Sequence, residues 1–175
     1  TAMSIFWQKL LLLWNNRPAP FIILLLFVSF FYLRFDRYIG LRPMSDHTWA
    51  QCDRASVARN YADQSMNFFL PRVHYTCGGE GIVGLEFPAI NYFVAILYKC
   101  FGFNEAFYRL TMLLIIFAGL FALMKIANSI LNNIWISMML VLSWYLSPVL
   151  TYYTPNFLPD TASLGFVLIF WHYFF

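Results

Sequence analysis

Residues 103–128 read "FNEAFYRLTMLLIIFAGLFALMKIAN", and the fold turns on them. Between Arg109 and Lys125 the run carries no charge and no proline. As a helix rising about 1.5 Å per residue, the stretch covers roughly 39 Å, enough to cross a hydrocarbon core of about 30 Å. It reads as a membrane span.

Composition extends that reading outward. The chain has 175 residues, of which 61% are hydrophobic and 11% charged. A soluble domain carries about 25% charged residues. Too few charges remain to coat a globule in water, so the membrane class follows. The 20 Phe, 11 Tyr and 6 Trp suit lipid and its interfaces. The net charge of +3 comes without a Lys/Arg block, which argues against nucleic acid as a partner.

Flanking runs fill in the architecture. Ile5–Trp14, with aromatic ends, reads as an interfacial helix. Pro18–Leu33 reads as a first span, with Arg17 and Arg34 snorkelling at its ends. The stretch "PAINYFVAILYKCFG" (88–102) is short, and reads either as a span or as a re-entrant or surface helix. One further span is expected near Ile134–Leu150, between the loops "NSILNN" and "YYTPNFLP". From Asp160 a last apolar run rises to Phe175 and ends without a polar tail, which leads to the expectation that the chain is part of a longer one. The expected fold is an all-α integral membrane protein, a polytopic helical bundle of about four to five membrane segments forming one domain over 1–175. Lys9 and Arg17 favour a cytoplasmic N-terminus, which puts residues 34–87 outside as a long loop with surface helices.

That outer segment holds the chemistry. It carries six arginines (34, 37, 42, 54, 59, 72) and six acids (36, 46, 53, 63, 80, 86). Ala50, Ala55, Ala58, Ala62 and Met66 have the spacing of an amphipathic helix, and "CGGEGIVG" supplies a glycine-rich turn. A connection this long is usually functional. Cys52 and Cys77 can pair in an oxidising compartment, whereas Cys100 reads as a packing residue.

Asp46 in "SDHTWAQ" is either a helix N-cap or a general base at the membrane surface, with Asp53 as its rival. Glu86 stands before Pro88 at a helix start, where the helix dipole favours an acid. Asp160 is a cap or, lying so close to an apolar run, a functional acid. His47 and His74, with Asp46, Glu80 and Glu86, have the ligand chemistry for a divalent metal ion, although solvated loop histidines are the plainer reading. Arg54, Arg59 and Arg72 can hold a phosphate through forked hydrogen bonds, or can pair with loop acids. Tyr152, Tyr153 and Asn156 can hydrogen-bond a sugar.

Taken in order, "ARNY", "PRV", "EFPAINYFVAILYKCFGFNEAFYRL" and "SPVLTYYTPNFLPDTASLGFVL" resemble the bacterial membrane glycosyltransferases of the GT-C type. Among them the chain looks like the family 39 protein-mannosyltransferase and lipid A aminoarabinose-transferase relatives. The resemblance implies a bacterial inner-membrane enzyme whose donor is a polyprenyl-phosphate-linked sugar. By position it assigns the base to Asp46, and it also points to Glu86, Arg109 and Asp160. Members often carry Asp-Glu where this chain has Asp46-His47. Inverting transfer needs a base for the acceptor and cations for the departing phosphate, and Arg59 or Arg109 suits the latter. The competing expectation is a non-enzymatic membrane module working with a membrane-protein partner.

Overall fold

The computed structural model describes residues 18–175 apart from Cys77 and Leu85. The expected interfacial helix over Ile5–Trp14 and the pairing of Cys52 with Cys77 lie outside those residues. Among the described residues all named elements are helices: α1 (Pro18–Tyr32), α2 (Phe35–Tyr38), α3 (Thr48–Asp63), α4 (Ala89–Phe101), α5 (Ala106–Leu131), α6 (Ile134–Tyr145), α7 (Pro148–Tyr153) and α8 (Asp160–Phe174). A single isolated bridge joins Arg72 to Ile82. The all-helical expectation therefore holds.

α5 is the axis. It has 26 residues and is the one helix, among those described, long and apolar enough by itself to cross a membrane. Its apolar residues run around the whole circumference, as befits a helix surrounded by others or by lipid. Leu113, Ile116, Leu120 and Met124 pack with Phe21, Ile22 and Leu25 of α1 and with Ile134, Val141 and Tyr145 of α6. Tyr108 and Met112 meet Val94 and Tyr98 of α4, Ala58 of α3 and Ala162 of α8.

The most extensive packing is between α5 and α8. Tyr108 and Met112 share a cluster with Ala162, and one turn further Ile115 and Gly119 meet Gly165, so the two helices run parallel. Gly119 and Gly165 are what let the backbones approach. A Cβ on Gly119 would lie 2.6 Å from the Gly165 Cα, and one on Gly165 would lie 2.8 Å from the Ile115 carbonyl oxygen.

Three shorter apolar helices flank α5, and the expected span over Ile134–Leu150 is not one helix. It breaks at Leu146–Ser147, because Pro148 has no N–H to continue the ladder. Pro148 instead opens α7 at a first-turn position, and the Ser147 hydroxyl caps it by accepting from the Leu150 N–H. Between α5 and α6 the turn is only Asn132–Asn133. Asn132 takes the left-handed conformation (φ 50°) that asparagine tolerates, and Asn133 caps α6 by accepting from the N–H groups of Trp135 and Ile136. Asn133→Ala should cost about 1 kcal/mol. Thermal unfolding checks this, and an unchanged midpoint would remove the cap from the account.

Four buried serine and threonine hydroxyls are satisfied within their own turn. Ser29 donates to the Leu25 carbonyl, Thr111 to Phe107, Ser137 to Asn133 and Thr154 to Leu150. α1 ends beside the N-terminal end of α5, where Leu33 and Phe35 share a cavity with Arg109. α5 leads away from that end, α6 and α7 lead back to it, and α8 leads away again. The polar residues gather where α5 and α8 begin.

Candidate functional site

The site forms around a tight turn at Met44–Thr48. Ser45 (φ 71°) and His47 (φ 56°) both adopt the left-handed backbone, so Asp46 is bracketed by two reversals of the chain. The Thr48 hydroxyl donates to the Ser45 carbonyl. The buried Gln51 amide donates to the carbonyls of Met44 at 3.1 Å and Asp46 at 2.9 Å. Gln51 is one turn into α3, so the helix itself holds the turn that precedes it.

This geometry corrects the expected cap. The N-cap position of α3 belongs to His47, whose side chain makes no capping hydrogen bond, and not to Asp46. With both flanking residues left-handed, the Asp46 side chain is not in register with the N–H groups of the first turn. Its carboxylate is exposed.

Two tyrosines from α7 close over the turn. The Tyr152 hydroxyl donates to the Asp46 carbonyl at 2.6 Å, and the Tyr153 hydroxyl lies 3.1 Å from His47 Nε2. Their rings meet edge to face at 5.2 Å. Asn156 holds this arrangement by donating to the Tyr152 carbonyl at 2.8 Å. Tyr153 also lines a cavity of about 290 Å³ with Asp160 and Thr161 at the start of α8. Asp46, His47, Tyr152, Tyr153, Asn156 and Asp160 are thus gathered at one end of the bundle. Asp160 is exposed and stands in the first turn of α8, where the dipole favours an acid, while the N-cap position is Pro159.

Arg109 holds the two halves together. It is 1% exposed. Its Nε donates to the Leu41 carbonyl at 3.2 Å and its Nη2 to the Arg42 carbonyl at 3.0 Å. Its Nη1 donates to the Pro155 carbonyl at 2.6 Å and to Asn156 Oδ1 at 2.9 Å. The guanidinium also lies 4.6 Å over the Phe157 ring. Four of its five N–H groups are spent on the loops that lead into Asp46 and Asp160. Its first task is therefore to position those loops, not to sit open as a phosphate clamp.

The three arginines expected to hold a phosphate are paired. Arg54 grips Glu86 at two points, with Nε 2.6 Å from Oε1 and Nη2 donating to Oε2 at 2.7 Å, and its Nη1 donates to the Ala50 carbonyl. Neither is thus placed for the role expected of it: Arg54 is not an open phosphate ligand, and Glu86 does not act at the start of α4 through the dipole alone. Together they tie α3 to the entry of α4. Arg59 pairs with Asp63 at 3.1 Å and lies over the Phe103 ring. Arg72 faces Glu80 at 3.6 Å. Asp53 is half-buried on α3, one and a half turns beyond His47.

No group of three or more His, Cys, Asp or Glu side chains among the described residues is placed to hold a metal ion. His47 and His74 are therefore corrected as candidate ligands: His47 meets Tyr153, and His74 is exposed, with its backbone N–H near the Ser56 hydroxyl. Separation in space defeats a set that looked adequate as residue types.

Glu105 is a feature that sequence reasoning missed. Its carboxylate oxygen Oε2 is buried without a hydrogen-bond partner. Burial raises its pKa above the ordinary carboxyl value, against the opposing pull of Arg109, Arg42 and Arg59. Its position just before the apolar run was the available signal.

No protein-family model, curated protein or solved structure matches the chain.

Proposed function

We propose that this chain belongs to a multi-pass membrane glycosyltransferase that moves a sugar from a polyprenyl-phosphate carrier to a lipid, glycan or protein acceptor at the outer face of a bacterial inner membrane. The observation that carries the reading is the exposed Asp46 carboxylate beside a hydroxyl-rich wall, with Tyr152 and Tyr153 drawn onto its turn from 106 residues away. In this reading Asp46 takes the proton from an acceptor hydroxyl. The acceptor oxygen then forms a bond to the anomeric carbon as the carbon–oxygen bond to phosphate breaks, and the phosphate leaves with the electron pair. Asp160 and Tyr153 are available to hold sugar hydroxyls, whereas the Asn156 amide is spent on Arg109 and the Tyr152 carbonyl.

The membrane part of the proposal draws on α5 and on the surface around it. Ile23 (66%), Leu114 (63%), Met139 (65%) and Phe170 (63%) stand exposed on four different helices. Exposed apolar surface on that scale mismatches water and suits lipid. A groove of about 700 Å³ between α4, α5 and α8 is lined by apolar residues such as Ile90, Phe93, Leu114 and Phe166, and would take the carrier's hydrocarbon chain.

The test is transfer of labelled sugar from polyprenyl phosphate in reconstituted vesicles. Asp46→Asn should slow transfer by about 10²–10⁴-fold, while Asp53→Asn leaves it near the wild-type rate. Full activity in Asp46→Asn would remove Asp46 as the base. The internal pairing of Arg54, Arg59 and Arg72 favours a second reading, a non-enzymatic membrane module. That reading expects no transfer by the chain itself and co-purification of a membrane-protein partner.

A further inference from the structure

α4 sits crosswise on the long helix. It has 13 residues and covers roughly 20 Å, short of a hydrocarbon core of about 30 Å. Both of its ends are held at the same end of α5. Near its start, Asn91 accepts a hydrogen bond from the Tyr108 hydroxyl at 2.6 Å. Near its finish, the Tyr98 ring lies 5.0 Å from Phe103 and 6.4 Å from Phe107. Asn91 and Tyr98 are about 10 Å apart along α4, whereas Phe107 and Tyr108 are consecutive. α4 therefore lies across the first turn of α5 and does not run beside it.

Its two sides meet opposite surroundings. One side rests on α3, where Tyr92 meets Tyr61 edge to face at 5.3 Å and Ala95 packs with Val57. α3 carries Asp53, Arg54, Arg59 and Asp63, and so belongs in water. The other side is apolar and open. Phe93 and Ile96 are exposed, as are Phe87 just before the helix and Phe101 at its end. Phe93 and Leu97 line the same groove as Leu110 and Leu114 of α5, so the open side of α4 and the apolar flank of α5 form one continuous surface. Lys99, exposed in the last turn, supplies a cation at its edge.

A helix with aromatic residues on one face and a polar layer over the other suits the plane of a membrane surface, into which its apolar face sinks about 5–10 Å. We infer that α4 lies in that plane, with α3 on its water side and Phe93 and Ile96 against the acyl chains of ordinary membrane lipid. Lys99 reaches back to the headgroup phosphates. Residues 88–102 are then a surface helix and not a span, so the whole segment between α1 and α5 stays on one face of the membrane. The inference rests on the membrane part of the proposed function and is independent of sugar transfer.

Spin labels on the full chain in reconstituted vesicles test it. Cys52, Cys77 and Cys100 are changed to serine, and single cysteines are restored at Cys52 or introduced as Phe93→Cys, Ile96→Cys, Lys99→Cys and Leu114→Cys. Collisions with oxygen, which concentrates in hydrocarbon, and with a nickel chelate, which stays in water, give the depth of each label. Labels on Phe93→Cys and Ile96→Cys should lie about 5–10 Å below the phosphates, with Cys52 in water and Leu114→Cys deeper than either. An impermeant maleimide should reach Cys52 and Lys99→Cys from the same side of sealed vesicles. Phe93→Cys and Ile96→Cys in water, with Leu114→Cys in lipid, would overturn the inference and leave the membrane reading intact. Leu114→Cys in water as well would overturn both. Rare collision of Phe93→Cys and Ile96→Cys with both reagents would put protein, not lipid, on that face and overturn the inference too. So would reaction of Cys52 and Lys99→Cys from opposite sides.

Discussion

Arg109→Gln should lower the thermal midpoint of the chain more than any other single change at its polar end. The guanidinium makes four hydrogen bonds to two loops that are otherwise far apart in sequence. A glutamine amide has two N–H groups and a shorter reach, so at least two acceptors lose their partner. Each hydrogen bond to a charged group contributes about 1.5–3 kcal/mol, and loop relaxation toward water recovers part of the loss. The expected cost is about 3–5 kcal/mol. Hydrogen exchange should localise it, with protection lost at residues 41–47 and 153–157 and retained in α6. An unchanged midpoint with unchanged protection would mean that the clamp does not hold the loops.

Gly165→Leu should be comparably severe, by a different route. The atoms that a Cβ at Gly165 would meet include the Ile115 carbonyl oxygen and carbonyl carbon at 2.8 and 3.1 Å, which belong to the backbone and cannot swing aside. The helices must separate, and the packing of α5 on α8 is the most extensive among the described helices. Overpacking costs about 1–3 kcal/mol where side chains can adjust, and more where they cannot. Gly165→Ala should lie between wild type and Gly165→Leu, and Gly84→Ala, which meets nothing within 4 Å, serves as the control. If Gly165→Leu and Gly84→Ala melt together, the close approach is not holding the bundle.

What could be read in the chain beforehand was whatever rests on local pattern. The apolar run after Arg109 became α5, and the alanine spacing at 50, 55, 58 and 62 became α3. The break at Pro148 was also local, but the surrounding apolar run outweighed it when the segment was read as one span. The site was legible as a set of residues and illegible as an arrangement. Asp46 looked like a cap because its neighbours are cap-forming types. Only backbone conformation puts His47 at that position, and nothing in a string of residues marks Ser45 and His47 as left-handed. Arg54 and Glu86 are 32 residues apart, and Arg109 meets partners 46, 47, 67 and 68 residues away. Pairings at such separations leave no periodicity, so charge that seemed available for a ligand turned out to be spent on the fold.

The Arg109 fork also constrains what changes the chain can accept over generations. Its three nitrogens lie in one rigid plane, and carbonyls from two loops must arrive at that plane together. An insertion in either the 39–46 or the 154–159 segment would displace its carbonyl from a partner that cannot follow. Relatives of this chain should therefore keep those two loop lengths fixed while their sequences drift, and should place their insertions elsewhere in the outer segment.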